Sequence, residues 1–327
     1  MKGAGEAGGA PETSGKIQRA EDAVTARVPA KVNLQLAVGP PRADGYHDLV
    51  TVFHAVSLFD QVTVAPAVRD GVTVSGEGAD RVPGGQENLA LRAVTALRTE
   101  VKDRGPGKVH VTIAKRIPVA AGLAGGSADA AAALVACNEL WASGLTQQQL
   151  CGIGATVGSD VAFALLGGTA VGRGRGEQLT PALAPATQYH WVLAFADGQL
   201  STPAVYAALD RLRAGEYEGT GSPPEVALDA ALMSALRSGN AARVGQRLSN
   251  DLQPAAVSLF PALRKTLAAG LELGALGALV AGSGPTCVFL AASAERALEL
   301  AVALSAAGVC RSVARVSGPV PGAALVS

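Results

Sequence analysis

Apolar and polar residues alternate with period two from Val24 onward, and Lys31-Val32-Asn33-Leu34-Gln35-Leu36 places Val32, Leu34 and Leu36 on one face of a strand. Gly39-Pro40-Pro41 is expected to stop that strand, because proline has no amide hydrogen to give to a ladder. A polar loop, Arg42-Ala43-Asp44-Gly45-Tyr46-His47, leads into residues 49–58, which are rich in β-branched and aromatic side chains. Val62-Thr63-Val64 and Val72-Thr73-Val74 read as two further short strands. The period then changes. Leu89, Ala93, Leu97 and Val101 recur at helical spacing, with Arg92 and Arg98 outside. Val109-His110-Val111-Thr112-Ile113 returns to alternation and runs into Pro118 and a glycine-rich turn. Alanines dominate 127–140, the composition of a strong helix that Gly144 ends, and a second helix is expected over 146–155.

Residues 157–166 and the glycines at 167, 168, 172, 174 and 176 close the first half. The Pro/Ala stretch 181–187 is the boundary candidate. Beyond it a strand is expected over 191–195, and helices over 204–214, 226–238 and 254–273. Residues 277–291, 294–307 and 310–316 read strand, helix, strand, and 215–224 reads as a surface loop. Residues 1–21 mix Gly, Ala, Glu and Lys without an apolar core, the composition of a disordered tail and not of a signal peptide.

Composition narrows the class. The chain has 327 residues, enough for two domains at roughly 100–200 residues each. With 49% hydrophobic and 17% charged residues it has ample material for a core, which rules out a largely disordered chain. Lys plus Arg and Asp plus Glu balance at 27 each, so nothing suggests a nucleic-acid partner. Cys137, Cys151, Cys287 and Cys310 are far apart with no CxxC pair, which fits reduced thiols in a cytoplasmic protein. The uncharged stretch 273–294 is long enough to span a bilayer. Gly282-Ser283-Gly284-Pro285-Thr286 in its middle would break such a helix, so a strand, a glycine loop and a second element are expected there.

The most informative segment is Pro118-Val119-Ala120-Ala121-Gly122-Leu123-Ala124-Gly125-Gly126-Ser127-Ala128-Asp129. Glycines let a backbone approach a ligand closely, and the helix that follows offers unpaired N–H groups and a positive dipole end. Together these suit a polyphosphate. The same residues also suit a plain turn with Ser127 as the helix N-cap. Other phosphate and catalytic signatures are missing: no GxxxxGK[ST], no GxGxxG after the first strand, no GxSxG.

Three segments in one order resemble the GHMP kinase superfamily of galactokinase, homoserine, mevalonate and phosphomevalonate kinases. They are Pro29-Ala30-Lys31-Val32-Asn33-Leu34, the glycine segment 118–129, and Ala281-Gly282-Ser283-Gly284-Pro285-Thr286-Cys287-Val288-Phe289. The resemblance covers about residues 24–317. It implies an α+β, two-lobed GHMP kinase fold. A ribosomal-protein-S5-domain-2-like lobe would span 22–180 and a ferredoxin-like lobe 181–320, with the active site between them. The loop Arg42-Ala43-Asp44-Gly45-Tyr46-His47-Asp48-Leu49, with Gly158-Ser159-Asp160-Val161 and Asn250-Asp251-Leu252, resembles one branch of the superfamily. That branch phosphorylates CDP-linked methylerythritol on the non-mevalonate route to isoprenoid precursors. Ala124, Ala128 and Ala162 depart from the pattern, which often has Gly, Ser and Pro there.

The resemblance implies a role for each matched position. ATP, with Mg²⁺, would lie over 118–128, with Asn88 near the adenine and the Ser127 hydroxyl toward the metal. Asp160 matches the general base. Lys31 lies mid-strand among apolar residues, where an unpaired ammonium is costly; pairing with Asp160 removes that cost and puts positive charge beside the transferring phosphoryl group. Tyr46 and His47 would recognise the cytosine, Tyr206 would be the second aromatic partner, and Asn33 would bond the diol or the base. Gly282, Ser283 and Gly284 would shape the floor of the site. The expected partners are ATP and the CDP-linked alcohol, in a cytoplasmic monomer or weak homodimer. Three rivals stand beside this reading: another GHMP kinase of homoserine or mevalonate type, a non-catalytic sensor of the same fold, and, remotely, a Rossmann oxidoreductase.

Overall fold

The computed structural model describes residues 23–104, 106–183, 187–220 and 226–326; the expected N-terminal tail, 1–21, lies outside them. Two long strands organise the first lobe. β1 (Val24–Pro41) and β2 (His47–Ala67) pair antiparallel from Val24 opposite Val64 to Pro41 opposite His47. Because β1 offers a partner along that whole length, Val62-Thr63-Val64 belongs to β2 and is no separate strand. For the same reason β1 does not stop at Gly39: Pro40 and Pro41 stand at the strand's end, where a missing amide hydrogen is tolerated. β3 (Gly71–Gly76), α1 (Leu89–Glu100), β4 (Lys108–Lys115), α2 (Gly125–Leu140), α3 (Gln147–Val157), α4 (Val161–Leu166), β5 (Thr169–Gly174) and β6 (Gln178–Pro181) follow.

β7 (Tyr189–Phe195), α5 (Thr202–Thr220), α6 (Ala230–Ser238), α7 (Ala241–Gly245), β8 (Ser249–Asn250), α8 (Gln253–Leu259), α9 (Ala262–Glu272), β9 (Gly277–Val280), β10 (Cys287–Ala291), α10 (Ala294–Ala307), β11 (Ser312–Gly318) and β12 (Ala324–Leu325) make the rest. The expected helix over 254–273 is two helices, because Pro261 cannot donate the amide that would continue α8. α5 runs through Thr220, so the first part of the expected loop 215–224 is helical, and 221–225 lie outside the described residues.

The first sheet has eight strands, with the path β12-β1-β2-β4-β3 and β5, β6 and β8 branching from it; the second has four, ordered β11-β7-β10-β9. β8 and β12 both return from the second half of the chain to β1, at Gln35–Leu36 and Ala26–Arg27, and tie the lobes together. α2 is buried from Ala128 to Ala133, all alanine but for Asp129, as suits a helix clamped between a sheet and other helices. The uncharged stretch 273–294 is β9, a glycine loop and β10, and no helix among the described residues is long and apolar enough to cross a membrane. All four cysteines are free, and burial pushes the Cys137 and Cys287 thiols up to about 12, which makes them inert.

Candidate active site

β1 carries alternating polar residues on a strand that is buried on both faces through its middle. Lys31, Asn33 and Gln35 are all buried. Each has a partner, as burial demands. Lys31 Nζ donates to Asn33 Oδ1 at 2.7 Å and stands 3.8 Å from Asp160 Oδ2. Asn33 Nδ2 donates to Thr51 Oγ1 at 2.8 Å, and Thr51 in turn donates to the Gln35 carbonyl. Asp160 occupies the N-cap position of α4, yet its carboxylate accepts no bond from that helix. The carboxylate is about a quarter exposed and faces the ammonium instead.

The glycine turn meets this pair from the side. The Lys31 amide donates to the Leu123 carbonyl at 3.3 Å. Gly122 (φ +78°) has no side chain because there is no room for one: a Cβ there would lie 2.0 Å from the Ala281 carbonyl oxygen. The turn is thus packed against the third motif, whose Gly282 lies beside Lys31 Nζ and Asn33 Oδ1. Asn250 holds that motif in place by donating to the carbonyls of Val280 and Gly282, both at 2.7 Å. Ser283 Oγ and Thr202 Oγ1 share a hydrogen bond of 2.8 Å. Ser127 is not the N-cap of α2. Ala124 is, in the left-handed conformation at φ 58°, and Ser127 follows in the first turn, facing Gly158 next to Asp160.

Three charged residues lie directly beneath the turn, and of these only Asp129 falls within one of the sequence motifs. Lys115 Nζ donates to Asp60 Oδ2 (2.5 Å) and to Asp129 Oδ2 (2.7 Å), and all three side chains are almost wholly buried. Asp60 Oδ1 accepts the amides of Arg116 and Ile117, so the triad anchors the point where β4 enters the turn. Burial works against the charge on Lys115, but the attraction of Asp129 and Asp60 holds it above its ordinary value. Burial, with the charge of Asp60 behind it, pushes Asp129 upward. A signal was present: Lys115 continues the inward parity of Val109, Val111 and Ile113, and Asp60 that of Val62 and Val64.

Asn88 and the glycine turn line a cavity of ≈ 250 Å³ together with Arg81, Glu87, Lys115 and Asp129. Both ends of the Asn88 amide are already engaged: Oδ1 accepts the Ala90 amide as the cap of α1, and Nδ2 donates to the Pro83 carbonyl. Asn88 therefore shapes the cavity wall through its backbone path and its cap.

The far end of the cleft is aromatic. The His47 ring stands 4.9 Å from the ring of Tyr206, tilted by 40°, and its Nε2 lies 2.9 Å from Asp210 Oδ1. Burial, helped by the charge of Asp160, pushes the Tyr206 phenol upward. Tyr46 is on the outside, 54% exposed, with the Arg175 guanidinium 5.0 Å above its ring. Asp210 and Arg175 were not foreseen; neither belongs to a motif with local spacing.

A helix N-terminus turned toward a paired lysine and aspartate, between two lobes of this topology, defines a small-molecule kinase. Residues 88–168 match the GHMP kinases N terminal domain, and residues 232–310 match the GHMP kinases C terminal domain. The chain belongs to the GHMP kinase family. It is 55% identical over 315 residues to 4-diphosphocytidyl-2-C-methyl-D-erythritol kinase of Thermobifida fusca, covering 94% of this chain and 99% of that one. With the enzyme of the same name from Nocardia farcinica it shares 55% identity over 303 residues, covering 93% and 96%. A crystal structure of 4-(cytidine 5'-diphospho)-2C-methyl-D-erythritol kinase aligns with TM-score 0.71 at 34% identity, covering 89% of this chain and 98% of that chain. The homoserine kinase of Cytophaga hutchinsonii aligns with TM-score 0.70 at 19% identity, covering 95% and 99%, and shares the fold.

Proposed function

We propose that this protein transfers the γ-phosphoryl group of ATP to the 2-hydroxyl of 4-diphosphocytidyl-2-C-methyl-D-erythritol, on the non-mevalonate route to isoprenoid precursors. The observation that carries the mechanism is the Lys31–Asp160 pair, 3.8 Å apart beside the glycine turn. Asp160 orients the acceptor hydroxyl and takes its proton; the oxygen forms the new P–O bond as the bond to ADP breaks. Lys31, fixed by Asn33, supplies positive charge to the phosphoryl oxygens where negative charge is greatest in the transition state. The N-terminal amides of α2 receive the remaining phosphates, each favourable charge at such a terminus contributing about 0.3–1 kcal/mol when exposed. Pro118 to Ala128 form the ATP wall, and Tyr46, His47, Tyr206 and Asn33 face the cytidylated alcohol.

A kinase reaction with ATP uses a divalent cation, and the donors here fit Mg²⁺. Among the described residues no cluster of three or more His, Cys, Asp or Glu could cage a metal, whereas Mg²⁺ is held largely by phosphates and water with few protein oxygens. Ser127 Oγ, in the first turn of α2 facing the Asp160 segment, is the oxygen that would hold it. When bound it neutralises phosphate charge.

The lobes are taken as 22–180 and 181–320, and the protein as a cytoplasmic monomer or weak homodimer. The aromatic pocket of His47 and Tyr206 favours a cytidylated substrate over homoserine or mevalonate, and the intact Lys31–Asp160 pair favours an enzyme over a sensor. ATP consumption measured with and without the CDP-linked alcohol tests the reading. Asp160→Asn is expected to abolish transfer while retaining nucleotide binding. Wild-type turnover in that variant would remove Asp160 from the mechanism.

A further inference from the structure

The recognition end of the cleft contains one group that none of the motifs accounts for. Asp210 lies on α5 one helical turn beyond Tyr206, so both project from the same face of that helix. Its carboxylate meets a histidine from the other lobe, at the start of β2. The His47 side chain is only 6% exposed, so its orientation is set by what it touches: the Tyr206 ring and Asp210.

We propose that Asp210 is a positioning residue that makes His47 a reader of the pyrimidine base, a role that rests on the cytidylated substrate of the preceding reading. An ionised carboxylate can only accept, so the contact at 2.9 Å requires the hydrogen on His47 Nε2. In the neutral imidazole that leaves Nδ1 as a bare acceptor. Nδ1 has no hydrogen-bond partner among the described residues. A bare acceptor suits the 4-amino group of cytosine, which donates. It opposes the 4-carbonyl oxygen of uracil, which would face it lone pair to lone pair. With the ring free to take the other tautomer, Nδ1–H would donate to the 4-carbonyl oxygen of uracil and oppose the amine of cytosine. Asp210 therefore carries base selection without touching the base.

The test compares CDP-linked and UDP-linked methylerythritol as substrates of the wild type, Asp210→Asn and Asp210→Ala. The wild type is expected to favour the cytidylated substrate, and both variants to lose roughly tenfold to hundredfold of that preference. The loss falls on KM for the cytidylated substrate and not on KM for ATP. Asp210→Asn is isosteric, and thermal unfolding checks that it folds. Histidine ¹⁵N spectra give an independent readout, since the chain has four histidines. His47 is expected as the Nε2–H tautomer in the wild type and as a mixture in Asp210→Ala. The proposal is overturned if both variants keep the wild-type preference, if KM for ATP rises equally, or if wild-type His47 carries its hydrogen on Nδ1. If the wild type turns over neither substrate, the substrate reading fails; the His47 tautomer and the binding of CMP against UMP then decide the role of Asp210.

Discussion

Replacing Gly122 by alanine puts a methyl carbon 2.0 Å from the Ala281 carbonyl oxygen and 3.0 Å from the Gly284 amide nitrogen. Both neighbours are backbone, so no side chain can rotate away. The glycine turn and the 281–284 loop must separate by about 1 Å before the first contact reaches even 3.0 Å, the near limit for a real Cβ. Alanine at φ +78° adds about 1–2 kcal/mol of backbone strain. The separation falls between Leu123, which receives the Lys31 amide, and Gly282, which lies beside Lys31 Nζ. A misplacement of that size at a reacting centre lowers turnover by about 10²-fold. The assay is kcat by ADP release, with KM for both substrates and a thermal melt. Gly152→Ala serves as the control: Gly152 is an exposed position of α3 where a Cβ meets nothing within 4 Å, and alanine is expected to stabilise the helix by about 0.5–1 kcal/mol. A Gly122→Ala enzyme within threefold of wild-type kcat would refute the claim that contact between these two loops sets the geometry of transfer.

Lys115→Met leaves Asp60 and Asp129 buried together without their cation, and urea unfolding is expected to show a loss of about 3–5 kcal/mol; a loss under 1 kcal/mol would mean that the triad anchors nothing. His54 is fully buried, and burial lowers its pKa to about 3 from 6.5, so the unfolded chain takes up a proton below pH 6.5 that the folded protein refuses. Stability from this group is therefore present above pH 6.5 and falls as the pH drops toward 3, by about 2 kcal/mol between pH 7 and 5. Urea unfolding at the two pH values should show this excess slope in the wild type and not in His54→Asn; equal slopes would contradict it.

Much of the site was legible because its logic is local. A phosphate turn needs consecutive small residues and a helix start in one stretch of chain, and 118–129 supplies both. Strand parity likewise revealed β1 and β4. Boundaries were less legible where a distant partner decided them. β2 runs unbroken through Asp60 because β1 pairs with it and because Asp60 finds Lys115 and two amides, so a charged residue that looks like a break is instead a buried anchor. Ser127 looked like a cap; Ala124 is the cap because the turn enters the helix in the left-handed conformation.

Alternation, helical spacing and the glycine turn determined by themselves that this chain is a mixed α+β protein with a phosphate-ready helix and a cationic strand, since each depends on residues a few positions apart. Lys31 with Asp160 was expected from the family resemblance, but the other meetings of charges were decided only by the tertiary structure: Lys115 with Asp60 and Asp129, and His47 with Asp210. The physical reason is that a buried charge requires a partner but its neighbours in sequence do not name one; sheet register and the packing of α2, α4 and α5 choose it.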